Sequence, residues 1–358
     1  MKIRNLSLLI LFIGVLLTSC NNKKAADIEE EMASGVVLIQ NKSFYEVRLS
    51  NNSTIYFKGF DEDGDLCGLT FDKDSIQVQT GFGTGFFISE DGKIATNAHV
   101  ISDIVDDNKI TRSVDDIMDA IKTLVRYYYN ELSDKYDEAY GWYQYANYSP
   151  DVSYDDFYKV KALVEYYSNE MDDCRAVYNE LDRVRISNSD ITYHNEVSIG
   201  YNNTHVTNES DLVPCVVLDV DKDHDLGIIQ LKSKATPAGK KVFEIPEEDP
   251  IEAYSIMDNL TSRLSEDKND KLYMTSYNLG PALAITKEGI KSQFNHGSIS
   301  QKTEDRLMYS IPALHGSSGS PVVNQKGELV AINFASLSGT QNFNYGIRVK
   351  YLKNLINK

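Results

Sequence analysis

The chain has 358 residues, 42% of them hydrophobic and 25% charged, with a net charge of −17. That composition excludes wholesale disorder, and the length leaves room for one two-lobed domain of roughly 200–250 residues plus an added element. The strong negative charge excludes a nucleic-acid-binding role, because phosphate backbones need a basic face.

Lys2 and Arg4 precede an apolar run from Leu8 to Leu17. The run is too short to span a bilayer, which needs about 20 residues. It ends in Leu17-Thr18-Ser19-Cys20, which resembles the bacterial lipobox, where cleavage precedes the cysteine and its sulfur takes a diacylglycerol. Residues 1–19 are therefore expected to be a lipoprotein signal peptide, Cys20 the lipidated residue and 20–34 a polar tether. A plain signal peptide with an incidental cysteine is the competing reading. The expected location is a bacterial cell envelope, periplasmic or outer-membrane, with the protein held at the membrane and not crossing it. Cys67, Cys174 and Cys215 remain, allowing at most one disulfide, and they lack the paired spacing of a structural zinc site. No metal or cofactor is expected.

From residue 35 the chain reads as short strands, 35–40, 45–49 and 54–58, rich in Val, Ile, Tyr and Thr. Gly83-Thr84-Gly85-Phe86-Phe87, the turn Glu90-Asp91-Gly92 and Lys93-Ile94-Ala95-Thr96 predict a hairpin. After about residue 104 the period changes. Ile117, Ile121, Leu124, Val125 and Tyr128 recur at helical spacing, and Val160, Val164, Tyr167, Met171, Cys174, Tyr178 and Leu181 form three heptads of a coiled-coil pattern. Pro150 lies in the loop between the runs, so 110–186 is predicted to be an antiparallel helical hairpin inserted in a domain of 35–358. Thirteen of the 23 tyrosines fall between 127 and 178. Tyr128, Tyr167 and Tyr178 are read as seam residues; alternatively the tyrosines form a face for a protein partner or a glycan. Strands resume at Ile191, Tyr193, Val197, Ile199 and Tyr201, then at 216–220, 226–231, 271–277, 282–287, 306–311, 320–324 and 328–333. A short amphipathic helix with Val349, Leu352, Leu355 and Ile356 ends the chain. Many short strands indicate a β-sandwich or barrels.

Three blocks carry chemistry. In Leu314-His315-Gly316-Ser317-Ser318-Gly319-Ser320-Pro321 a tight turn can present a serine hydroxyl and aim successive N–H groups at a developing oxyanion. A serine nucleophile needs a positioned base, and of six histidines only His99, in Thr96-Asn97-Ala98-His99-Val100, stands at a strand end beside a short helical turn. The third block, Asp221-Lys222-Asp223-His224-Asp225-Leu226, offers three carboxylates to orient an imidazole. Asp225 is favoured because it opens an apolar strand.

In this order the blocks resemble the trypsin-like serine proteases, particularly bacterial Deg-type members. Gly227 stands where an Ala is usual, and Ser320 replaces the second Gly of Gly-x-Ser-Gly-Gly-Pro. The resemblance covers about 34–104 and 190–358. It implies a mainly β fold of two antiparallel six-stranded barrels, with the helical hairpin as an outgrowth of the first and a C-terminal helix. It implies Ser318 as nucleophile, His99 as general base, Asp225 as the orienting acid, and the N–H groups of Gly316 and Ser318 as an oxyanion hole. Pro312 falls at the floor of the specificity pocket, so a Lys/Arg preference is not expected. No PDZ domain is expected after the last helix. The implied function is peptide-bond hydrolysis on protein or peptide substrates. The alternative is a catalytically weak or inactive binding protein of the same fold, whose helical insert recognises a partner.

Overall fold

The computed structural model describes residues 22–61, 63–103, 105–186, 189–252, 270–336 and 343–357. The expected signal peptide and Cys20 lie outside the described residues.

The segment expected as a tether is instead largely a helix, α1 (Ala25–Gly35). Ile28 and Met32, one helical turn apart, are buried in the same core as Val36 and Phe86, and that burial orders the segment. The chain continues through β1 (Val36–Arg48), β2 (Thr54–Phe57), β3 (Gly59–Phe60), β4 (Leu66–Cys67), β5 (Gln79–Phe87) and β6 (Lys93–Thr96) to the single turn α2 (Ala98–Ile101). Two long helices follow, α3 (Asp107–Tyr148) and α4 (Tyr154–Arg183), then β7 (Asp190–Tyr201), β8 (Val213–Asp221) and β9 (Leu226–Leu231). One sheet runs β2-β1-β5-β6-β9-β8-β7, and a further β1–β7 pairing closes six of its strands into a barrel.

The remaining elements are β10 (Lys271–Ser276), α5 (Pro281–Ala284), β11 (Ile285–Thr286), β12 (Gly289–Ile290), β13 (Gln293–Lys302), β14 (Arg306–Tyr309), β15 (Pro321–Asn324), β16 (Leu329–Ser336), β17 (Asn344–Arg348) and α6 (Val349–Ile356). A second closed six-stranded barrel has the order β10-β13-β14-β17-β16-β15. The first half of the expected strand 282–287 is α5, because Pro281 sits in the first turn of a helix, after Gly280 at φ +52°, and only Ile285–Thr286 is strand. β13 escapes a reading based on hydrophobic alternation, since Gln293, Asn295, Ser298 and Gln301 break the pattern. Cys67, Cys174 and Cys215 are all free.

The chain divides into two compact units. One comprises Met1–Ser43, Gln79–Ile104 and Asn195–Lys358, and it holds all of the second barrel with β5, β6, β8 and β9 of the first. The other comprises Phe44–Val78 and Val105–His194. Its core joins Tyr45, Val47, Ile55 and Phe57 to Ile110, Val114 and Met118 of α3 and to Val184 and Ile186 after α4. Beyond that base the hairpin is thinly packed. All seven expected heptad positions of α4 are buried or half-buried, as read from the sequence. On α3 the expected positions Ile117, Ile121 and Val125 are half-buried, but Leu124 and Tyr128 are exposed, while Tyr129 and Leu132, outside the expected pattern, face inward; Tyr129 stands one helical step of about 100° from Tyr128. Reciprocal bonds join the helices there, Arg126 Nη2 donating to Tyr178 OH at 2.9 Å and Arg175 Nη2 to Tyr129 OH at 2.6 Å.

Candidate active site

His99 stands in α2, directly after β6, and the packing beneath it fixes the turn. Gly227 on β9 faces Ile101, and a Cβ there would come within 2.6 Å of Ile101 Cδ1. The small residue is what lets α2 lie on the barrel wall. Asp225 precedes β9 in the left-handed region, φ +52°, a conformation that Asp tolerates better than most residues. Its carboxylate is held twice, Oδ1 accepting the backbone N–H of His99 at 2.9 Å and Oδ2 lying 2.7 Å from His99 Nδ1. Asn97, fully buried, donates from Nδ2 to the Asp225 carbonyl at 2.9 Å. An ionised carboxylate only accepts, so Nδ1 carries the proton and Nε2 of a neutral His99 keeps its lone pair outward from the pair.

The other aspartates of that block are occupied differently. Asp221 Oδ1 accepts the N–H groups of Asp223 and His224, and Oδ2 lies 2.9 Å from His224 Nδ1, whose ring stacks on Tyr351. Asp223 is exposed.

The serine loop runs between β14 and β15. Gly316 and Gly319 both have positive φ, +91° and +85°. At Gly319 a Cβ would fall on Thr84 O and Thr96 Oγ1, so the close approach itself requires glycine. Ser317 Oγ donates to Leu314 O at 2.6 Å, and Ser320 Oγ to Ser317 O at 2.6 Å. Both serines are buried, whereas Ser318 is partly exposed and its hydroxyl has no hydrogen-bond partner among the described residues, His99 included. The loop's N–H groups alternate in the same way. Ser317 N donates to Leu314 O and Gly319 N to Asn333 O, while the N–H groups of Gly316 and Ser318 have no acceptor among the described residues. His315 O accepts from Leu279 N, which turns the Gly316 N–H to the opposite side of that trans peptide. Pro312 is exposed on the segment leading into the loop.

A buried frame joins the His-bearing strands to this loop, and reading the sequence motif by motif does not find it. Thr84 is fully buried with every polar atom paired. Its N–H donates to Ser318 O at 2.8 Å, its hydroxyl to Gly316 O at 2.8 Å, and it accepts Tyr277 N–H at 3.0 Å and Thr96 Oγ1 at 2.7 Å. On the far side Asn333 Nδ2 reaches Ser317 O at 3.1 Å and Asn333 Oδ1 accepts from Tyr309 OH at 2.8 Å. Burial holds the Tyr309 phenol well above its ordinary value, so it stays a neutral donor.

Residues 184–332 match the family described as Trypsin-like peptidase domain, a span that includes Asp225 and Ser318 but not His99. No match is found among curated proteins. Among solved structures the chain is similar to the serine endoprotease from Yersinia pestis, at 12% identity and a TM-score of 0.42, over 94% of this chain and 66% of that one. The chain thus spans just under two thirds of that protein's length.

Proposed function

We propose that the chain is a serine endopeptidase acting on protein or peptide substrates, with Ser318 as nucleophile, His99 as general base and Asp225 as the residue that orients it. The observation that carries this reading is the pairing of a doubly held His99–Asp225 unit with a loop in which Ser318 alone keeps its hydroxyl out of the internal bonding.

In this reading Ser318 Oγ attacks the substrate carbonyl carbon and its proton passes to His99 Nε2. The N–H groups of Gly316 and Ser318 hold the oxyanion. The C–N bond then breaks, the amine leaves with the proton from His99, and an acyl-enzyme remains on Ser318. Water, deprotonated by His99, releases the acid product and restores the serine. Asp225 keeps the imidazole in the right tautomer and stabilises the imidazolium between these steps. The Ser318–His99 bond forms with substrate in place, since catalytic bonds tighten in the Michaelis complex. Pro312, at the expected specificity pocket, brings no charge for a basic side chain.

Anchoring through a lipid on Cys20 completes the proposal. No described helix is long and apolar enough to cross a membrane. The mass of the mature N-terminal peptide tests this part, and an unmodified peptide that starts elsewhere removes it.

A second reading, a binding protein working through the hairpin, is favoured by the exposed aromatics near its tip. Trp142 is 60% exposed, Tyr154 81% and Tyr148 85%. Exposed clusters of this type mark recognition surfaces. A fluorophosphonate label separates the two: the enzyme is modified at Ser318, and the pure binding protein is not modified.

A further inference from the structure

The first described residues after Cys20 are already held to the fold. Asn22 Nδ2 donates to Gln325 Oε1 at 2.9 Å, and Lys23 N donates to Gln325 O at 3.0 Å. Lys23 Nζ is paired with Glu31 on α1 at 2.7 Å, and Lys241 reaches the same carboxylate at 2.8 Å. These two lysines hold the Glu31 carboxyl below its ordinary range. Ile28 and Met32 lock α1 into the core, so this segment cannot peel away without exposing them. Two residues, Asn21 and Asn22, separate Cys20 from Lys23, and the three Cα–Cα steps give a contour of at most about 11 Å.

We infer that the protein has no working tether: a lipid on Cys20 holds the turn between β15 and β16, Gln325 to Gly327, at the headgroup surface of the bilayer. This inference rests on the lipidation proposed above. The bilayer is the occupant because the chain length leaves the turn nowhere else to go.

The consequence is a limit on reach. Ser318 and Gln325 lie seven residues apart through β15, at most about 25 Å. With the hydrogen bond to Lys23 and the three Cα–Cα steps to Cys20, the Ser318 hydroxyl stays within roughly 40 Å of the acylated residue. Only membrane-proximal segments of a substrate come within that radius. The neighbourhood of the turn does not hold itself to anionic lipid by charge, because Glu31, Glu244, Glu247 and Glu328 outnumber Lys23, Lys241 and Lys326. Chain length is the restraint.

The test uses the full acylated chain, reconstituted in phosphatidylethanolamine vesicles carrying a nitroxide on a fraction of the headgroups. A fluorophore is placed by Lys326→Cys in a Cys67→Ser, Cys174→Ser background; Cys215 is buried and stays unlabelled. A second protein carries an added Gly/Ser linker of about 20 residues between Asn21 and Asn22, which gives roughly 25 Å of extra reach. Strong quenching is expected in the first protein, falling roughly two-fold or more in the second. Equal quenching in two proteins that both carry the lipid overturns the inference while leaving the anchor in place. Absence of lipid on the mature N-terminus, read by mass, overturns the anchor itself and the inference with it.

Discussion

Thr84 and Ser318 meet backbone to backbone, the Thr84 N–H donating to the Ser318 carbonyl at 2.8 Å, one residue of each barrel in a single buried frame. The Thr84 hydroxyl extends the frame to Gly316 O and Tyr277 N. Thr96 ties it to the strand that ends at His99. The position of the serine loop relative to the histidine is thus set at a residue that takes no part in the chemistry.

Thr84→Val keeps the shape and removes the hydroxyl, leaving the Gly316 carbonyl and Tyr277 N–H buried without a partner. Each such group costs about 1–3 kcal/mol. A lower thermal midpoint and a fluorophosphonate reaction slowed at least about ten-fold are expected, with Thr84→Ser restoring most of the rate. A Thr84→Val protein that reacts as fast as wild type removes the positioning role.

Three serines crowd the loop, and their bonding predicts different fates. Ser318→Ala should abolish labelling and change stability by no more than about 0.5 kcal/mol, since its hydroxyl has no internal partner to lose. Ser317→Ala loses the bond to Leu314 O and one end of the Asn333 contact, so about 1 kcal/mol of stability should go while labelling persists. Labelling that survives in Ser318→Ala and disappears in Ser317→Ala would reverse the assignment.

Why these residues were legible, and the frame was not, has a physical explanation. His99, Asp225 and Ser318 each lie in a short run whose glycines and apolar neighbours are needed locally, as Gly227 is for Ile101 and Gly319 for Thr84. Thr84 acts through Thr96, Tyr277, Gly316 and Ser318, most of them far along the chain, and nothing in Gly-Thr-Gly announces them. Residues 25–34 read as tether because Ile28 and Met32 are diluted among Glu29 and Glu30, which face solvent, and Glu31, whose lysine partners Lys23 and Lys241 no local pattern announces. On α3 the inward stripe is chosen by α4, which explains why adjacent apolar residues such as Leu124 and Val125 could not be ranked from periodicity.

Burial pushes the Cys215 thiol up to about 12. The folded protein therefore holds this proton more tightly than the unfolded chain does. Stability is full below the ordinary thiol value of about 8.5 and is lost as pH rises toward 12. Tyr201, Tyr277 and Tyr309 are raised in the same sense, but their unfolded value is about 10, so they act later. Between about pH 8.5 and 9.5 wild type should lose roughly 1 kcal/mol that Cys215→Val keeps. Urea midpoints at the two pH values measure it, and parallel losses in both proteins would clear Cys215 of any part in alkaline weakening.

The hairpin should be separable only above its base. Removing all of 110–186 takes Ile110, Val114, Met118, Val184 and Ile186 out of the core they share with Tyr45, Val47, Ile55 and Phe57. Each large side chain so exposed costs about 1.5–3 kcal/mol, enough in sum to unfold a unit of ordinary stability. Cheap closure of a surface insertion would by itself make this excision tolerable. The shared core argues otherwise. Joining the helices higher up, with a short Gly/Ser turn in place of 133–170, keeps Leu132 and Met171, both buried, and the Arg–Tyr bonds below them. That shortened protein should fold and react with fluorophosphonate at the wild-type rate, and it loses Trp142, the single tryptophan of the chain. If it cleaves a natural protein substrate as fast as the full chain, the aromatic tip has no part in substrate selection; slower cleavage with an unchanged fluorophosphonate rate assigns it one. A 110–186 deletion that melts with the wild-type midpoint would show that the base of the hairpin is decoration and not core.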